Sequence, residues 1–112
     1  MNRLSPQMAE DLSKLIEDLH NTEIYTEFSK KKIKIMSNDR LKEKALRAKE
    51  IRVQLQELAD DQRDSDYADS LEGEYEELCE NTAVHDYLGA ENELGAMVKE
   101  ILASILRAVE LE

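Results

Sequence analysis

One cysteine, one proline, three glycines and no tryptophan occur in the 112 residues of this chain, and each scarcity removes a class of protein. Cys79 alone permits neither an intramolecular disulfide nor a cysteine cage for a metal within one chain, so a reducing, cytoplasmic setting is expected. So little glycine and proline supplies few of the tight reversals that a sheet protein needs. Four tyrosines and Phe28 are the whole aromatic supply, which leaves Leu, Ile, Val, Met and Ala to fill a core, a composition that suits helical bundles. No apolar run reaches the length of a membrane span, and Met1-Asn2-Arg3-Leu4 opens no leader-like stretch. A soluble protein with no membrane partner is the expectation.

What is abundant is charge. Charged residues make up 37% of the chain and the net charge is −11, a balance that disfavours generic binding to nucleic acid or to an anionic membrane surface. The charge is segregated. Lys30 to Arg52 holds ten Lys or Arg against Asp39, Glu43 and Glu50, whereas Glu57 to Glu93 holds fourteen acids against Arg63 alone. The basic segment is therefore expected to lie beside the acidic one, within a subunit or across a dimer.

Between Val84 and Val109 the apolar residues Val84, Tyr87, Leu88, Leu94, Val98, Ile101, Leu102, Ile105 and Val109 recur at steps that favour one helical stripe. The helix would run roughly 26 residues, about 39 Å, longer than a domain of this size usually requires. Part of that stripe is expected to be covered by a second copy, with Tyr87, Leu94, Val98, Ile101 and Ile105 as candidate interface residues and a dimer the favoured order.

Upstream, Ser5-Pro6 reads as a capped helix start, followed by the stripe Met8, Leu12, Leu15, Ile16 and Leu19. Thr22 offers a second cap ahead of Ile24, Tyr25, Phe28, Ile35 and Met36. Ser37, Asn38 and Asp39 form a cap-like cluster before a near-heptad pattern at Leu41, Ala45, Ala48, Ile51, Leu55 and Leu58. Ala59 to Asp66, which has no apolar residue after its first, reads as the main reversal. Ala68, Leu71, Tyr75, Leu78 and Cys79 give a fourth helix containing Gly73, and the stripe helix starts around Thr82. Gly89 and Gly95 within it allow either a close helix approach or a bend. Leu111 and Glu112 read as an appended remnant. One all-α domain over residues 1–112, with four to five helices in a long antiparallel hairpin or bundle completed by oligomerisation, is the predicted architecture.

The reactive groups do not converge. Glu17 and His20 have the Glu-x-x-His spacing of carboxylate-bridged metal sites in bundles. On the first helix, however, the apolar stripe centres near Leu19, with His20 about 95° and Glu17 about 155° away, so Glu17 is expected to face water. Asp60, Asp61, Asp64, Asp66 and Asp69 fit no frame of a calcium loop and read as a solvated acidic stretch. Cys79 sits on an apolar helix side, and His85, six residues on, falls almost opposite to it on a continuous helix. Lys30, Lys31, Lys32 and Lys34 form a candidate basic contact surface for phosphates, with Tyr25 and Phe28 nearby. The spacing of those aromatics with Ile24 suits a buried face better than a stacking platform. No catalytic residue, metal ligand or cofactor is assigned.

Two segments go beyond helix grammar. Thr22-Glu23-Ile24-Tyr25-Thr26-Glu27-Phe28, followed by Asn38-Asp39-Arg40-Leu41, resembles the opening of the YlbF/YmcA-like family of small bacterial helical proteins. Glu76-Glu77-Leu78-Cys79-Glu80-Asn81-Thr82-Ala83-Val84-His85-Asp86-Tyr87-Leu88, running on through Ala90-Glu91-Asn92-Glu93-Leu94, resembles the family's E-E-L-x-E-N-P-x-V-x-x-Y-L-x-A-x-x-x-L stretch. Thr82 stands where many members carry proline, and the Asp-Pro pair common in members is absent at Asp39. The resemblance implies long antiparallel helices, frequent homo-oligomers and a non-enzymatic cytoplasmic regulatory or adaptor role. In some members that role serves competence, sporulation and biofilm formation through a complex associated with ribonuclease Y and RNA maturation. It implies no iron–sulfur cluster here, since no cysteine follows Cys79. An RNA-associated component acting through the basic 30–52 helix is the alternative.

Overall fold

The computed structural model describes residues 3–111, so Met1, Asn2 and the appended-remnant reading of Glu112 lie outside the described residues. Five α-helices follow one another: α1 (Pro6–His20), α2 (Glu23–Met36), α3 (Asp39–Gln56), α4 (Asp66–Cys79) and α5 (Thr82–Ala108). A short 3-10 turn at Asp60–Gln62 sits within the reversal between α3 and α4. The described residues contain no strand, and the predicted all-α class is the observed one.

Every α-helix begins on a side-chain cap. Ser5, Thr22, Asn38, Ser65 and Asn81 each accept a hydrogen bond from the backbone N–H three residues on, at 3.1–3.2 Å. Such a cap satisfies one amide that the helix itself leaves without a partner. Two hydroxyls serve both sides of a break. Thr22 donates to the Leu19 carbonyl at 2.7 Å while capping α2, and Ser65 donates to the Gln62 carbonyl at 2.6 Å while capping α4. Asn81 supplies the same start for α5, so Thr82 does not need to be proline. At the far end of α5, Glu110 adopts φ 61° and the Leu111 N–H returns to the Leu106 carbonyl at 2.9 Å, closing the last turn.

The core is small and lies at one end of the molecule. Ile35 of α2, Ala45 and Ala48 of α3, and Val84, Tyr87 and Leu88 of α5 form its buried cluster, with Phe28, Leu41, Tyr75, Leu78 and Cys79 packed around it. The alanines of α3 let its backbone come close to its neighbours, so the short side chains on α3 and the long ones on α2 and α5 fill one layer. Outside this cluster, Ile51 of α3 and Ala68 and Leu71 of α4 are also buried. The near-heptad expected for the third helix is thus present, except that α3 ends at Gln56 and Leu58 falls in the turn that follows.

The α2–α5 contact is the most extensive in the molecule. Phe28 stacks on Tyr87 at 6.0 Å between centroids, and Ile24, one turn earlier on α2, shares a cleft with Gly89, Ala90 and Glu93 farther along α5. The two helices therefore run antiparallel, and α2 covers the first half of α5. Each glycine of the chain has open space where a Cβ would stand, so neither Gly89 nor Gly95 serves a close helix approach.

Beyond Gly95, α5 leaves the core past the start of α2, and α1, joined through Asn21 and Thr22, leaves it at that same end of α2. No residue of α1 is buried, and α1 makes its main contact with α2 alone. A row of rings, His20 to Tyr25 at 4.5 Å and Tyr25 to Phe28 at 6.3 Å, ties the foot of α1 to the core. The radius of gyration is 18.0 Å, against about 13 Å for a compact chain of this length. Accessible surface is 8554 Å², against about 6300 Å² for a monomer of this mass.

Candidate functional site

The best-organised polar site joins α3 to α5. Lys49 contacts the Glu91 carboxylate at 2.5 Å, donates to the Tyr87 hydroxyl at 2.8 Å and lies 4.9 Å from the centre of that ring. The Tyr87 hydroxyl donates to Glu91 at 3.3 Å. Arg52 completes the set, donating to Glu91 and to Asn92 at 2.9 Å each. Burial opposes the charge of Glu91, but the hydrogen bonds from Lys49 and Arg52 outweigh it and hold the carboxyl below its ordinary value. Burial likewise opposes the Lys49 charge, and its bonds to Glu91 and Tyr87 raise the ammonium above its ordinary value. Both groups stay charged at neutral pH, with their charges turned on each other. A general acid or base needs the reverse, a group held near neutrality and open to a substrate.

A second clasp joins α3 to α4. Arg47 donates to both oxygens of Glu74, at 2.5 Å and 2.9 Å, and to Glu50 at 2.9 Å. The hydrogen bond from Arg47 lowers the Glu74 carboxyl below its ordinary range. The basic segment thus lies beside the acidic one within a single copy, through Arg47, Lys49 and Arg52. Charge segregation in the sequence signalled the pairing of segments. It gave no sign of Glu74, Glu91 or Asn92 in particular, because a pairing across 27 to 40 residues depends on how the helices cross.

The remaining reactive candidates are scattered. His85 is exposed and lies 3.5 Å from its neighbour Asp86, whereas Cys79 is half-buried against the core. Burial raises the Tyr75 phenol, with Cys79 adding to the effect. His20 packs on Tyr25, and Glu17 is exposed. Among the described residues, no group of three His, Cys, Asp or Glu is placed to hold a metal ion. Lys30 and Lys31 both approach Glu27, at 4.0 and 3.7 Å, and Lys32 lies 5.8 Å from the Phe28 ring centre. Lys34 is exposed near the end of α2. Tyr25 and Phe28 belong to the aromatic row, not to a stacking platform.

Apolar surface is the larger feature. The stripe of α5 divides: Val84, Tyr87 and Leu88 are buried, Leu94 and Ile101 are half-buried, and Val98, Leu102, Ile105 and Val109 are exposed. Tyr87 must therefore be removed from the candidate interface. At 2% exposure, with its ring on Phe28 and its hydroxyl held by Lys49, it is core of a single copy. Leu94 is half-covered already. On α1, Met8, Leu12, Leu15 and Ile16 are all exposed, Met8 by 54%. Two apolar helix faces, both lying beyond the start of α2, are left largely exposed by the described residues.

The described residues thus form a small all-helical protein whose charged groups clasp its own helices and which leaves apolar surface exposed on α1 and the second half of α5. Its membership follows from sequence. The chain belongs to the family described as control of competence regulator ComK, YlbF/YmcA, whose model matches residues 8–110. That family is a regulatory one, and the match spans the resemblance segments of α2, α3, α4 and α5. No curated protein and no solved structure matches the chain significantly. Among the described residues no helix is long and apolar enough to cross a membrane.

Proposed function

We propose that this protein is a non-enzymatic cytoplasmic adaptor, acting in competence-type regulation by associating with itself and docking to other proteins. The observation that carries this reading is the pair of uncovered apolar faces on α1 and on the second half of α5. Monomeric soluble proteins rarely leave contiguous apolar patches of more than a few hundred Å² in water, and larger ones mark interaction sites. The charged clusters support the same reading, because their partners are other helices of the same copy. Of the candidate interface residues, Val98, Ile101 and Ile105 fit this role.

Capture with a tagged copy from the native cytosol, with and without nuclease, tests the proposal. Protein partners that persist after nuclease treatment are the expected result. Partners lost on nuclease treatment would instead support an RNA-associated component acting through the basic 30–52 segment.

A further inference from the structure

Beside the Lys49 clasp the surface opens into a groove of about 570 Å³ between α3 and α5, lined by Lys49, Arg52, Val53, Gln56 and Asn92. That is room for a side chain or a small ligand. The wall holds two cations and no acid. Both cations lean on the single carboxylate of Glu91, so one positive charge is left over, in a chain whose net charge is −11.

The way Arg52 is held points to what fits. A guanidinium matches both oxygens of one carboxylate, and Arg47 grips Glu74 in that way. Arg52 instead divides its donors, giving one N–H to a Glu91 oxygen and another to the amide oxygen of Asn92, each at 2.9 Å. A neutral oxygen thus stands where a charged one would be held more strongly. Lys49 has three N–H donors, of which Glu91 and the Tyr87 hydroxyl take two. The exposed amide of Gln56 bonds to no other side chain among the described residues. Val53, 51% exposed, adds an apolar wall to this ring of donors.

We infer that the groove binds a carboxylate on a short aliphatic stem, the side chain of a glutamate or aspartate carried by a partner protein. The incoming carboxylate replaces Asn92 at the Arg52 guanidinium and accepts from Lys49 and Gln56, while Val53 packs against its methylenes. A nucleic-acid strand fits less well, because one leftover charge holds one anionic group while the net charge of the chain repels the rest. The groove shares no residue with the apolar faces of α1 and α5. Only the protein source of the carboxylate rests on the docking proposed above.

NMR titration of the isotope-labelled protein tests the site, using blocked glutamate (N-acetylglutamate amide), its glutamine analogue and inorganic phosphate at constant ionic strength, up to about 50 mM. Blocked glutamate should shift the side-chain amide signals of Gln56 and Asn92 along a saturable curve, and the glutamine analogue should not. Gln56→Glu sets an acid on the wall and should weaken binding at least tenfold, with folding intact because the position is exposed. Asn92→Asp completes the fork on Arg52, so it should abolish binding and raise the melting temperature together. The absence of a saturable shift, an equal response to the glutamine analogue, or binding unchanged in both variants overturns the inference. Phosphate that saturates the same signals at lower concentration than blocked glutamate overturns it in favour of a free-phosphate site. In capture from the native cytosol, Asn92→Asp should lose a protein that wild type retains. Full retention by this variant overturns the inference and leaves docking standing, whereas a wild type that captures no protein overturns the docking reading and the protein source, and the titration still decides the groove.

Discussion

Lys49 and Glu91 meet at 2.5 Å between α3 and α5 with each side chain about 30% exposed, and both also hydrogen-bond the hydroxyl of the core residue Tyr87. Its pH dependence has a definite sign. The Glu91 carboxyl lies below its ordinary 4.5 in the fold, so its contribution is present above that value and is lost as pH falls through the lower folded one. Lys49 lies above its ordinary 10.5, so its contribution is present below that value and is lost as pH rises through the folded one. Glu91→Gln is expected to destabilise the protein by about 1–2 kcal/mol at pH 7. The gap between the melting temperatures of wild type and variant should narrow as pH falls below about 4.5. An unchanged gap from pH 7 to pH 3 would count against this assignment.

Tyr87 has two separable roles, and two substitutions divide them. Tyr87→Phe keeps the ring on Phe28 and removes the acceptor for Lys49, for an expected loss of about 1 kcal/mol. Tyr87→Ala also empties the centre of a small core, for an expected loss of about 3–5 kcal/mol. That is a large share of the 5–15 kcal/mol typical of a domain. Urea unfolding measures both, and equal losses would contradict the packing role.

Gly73 lies inside α4 with open space where a Cβ would stand. Its replacement by alanine gains helix propensity without a clash, and Gly73→Ala should stabilise the protein by about 1 kcal/mol. Gly95→Ala should act in the same direction on α5. A destabilisation read from urea unfolding would show that one of these positions faces a partner.

The lysines of α2 are expected to contribute no RNA affinity. Lys30 and Lys31 share Glu27, and Arg47, Lys49 and Arg52 of α3 are engaged by Glu74 and Glu91. In filter binding at low salt, where phosphate contacts are strongest, wild type should retain no RNA and charge reversal of Lys30, Lys31, Lys32 and Lys34 should change nothing. Retention that is abolished by the reversal, with folding intact, would overturn this.

Helix existence and limits were legible because they depend on neighbours in sequence. Ser5-Pro6, Thr22 and the Ser37 to Asp39 cluster marked starts that the structure realises within a residue or two, and the stripes of α1 and α5 came from spacing alone. The start of α4 was read late, at Ala68, because Ser65 caps it from inside a run of acids that otherwise reads as loop. Which part of the α5 stripe is core was not legible. Val84 and Val98 have the same chemistry, and only the point at which α2 begins decides that one is covered and the other exposed. The Lys49, Arg52 and Glu91 cluster was hidden for the same reason: helix crossing, not local pattern, brings it together.

The asymmetry of α5 has a consequence for how the exposed faces form. Starting a helix is the unfavourable step, and extending one already started is nearly free. The outer half of α5 continues a rod whose first turns are fixed by the core, so this face is ordered as soon as the core is. By contrast, α1 is separated by the break at Asn21 and Thr22 and has to start on its own, aided by Ser5 and Pro6. One face thus continues a rod anchored in the core, while the other sits on a helix that has to be started separately, so a substitution that weakens the Ser5 cap should loosen the α1 face and leave the α5 face as it is.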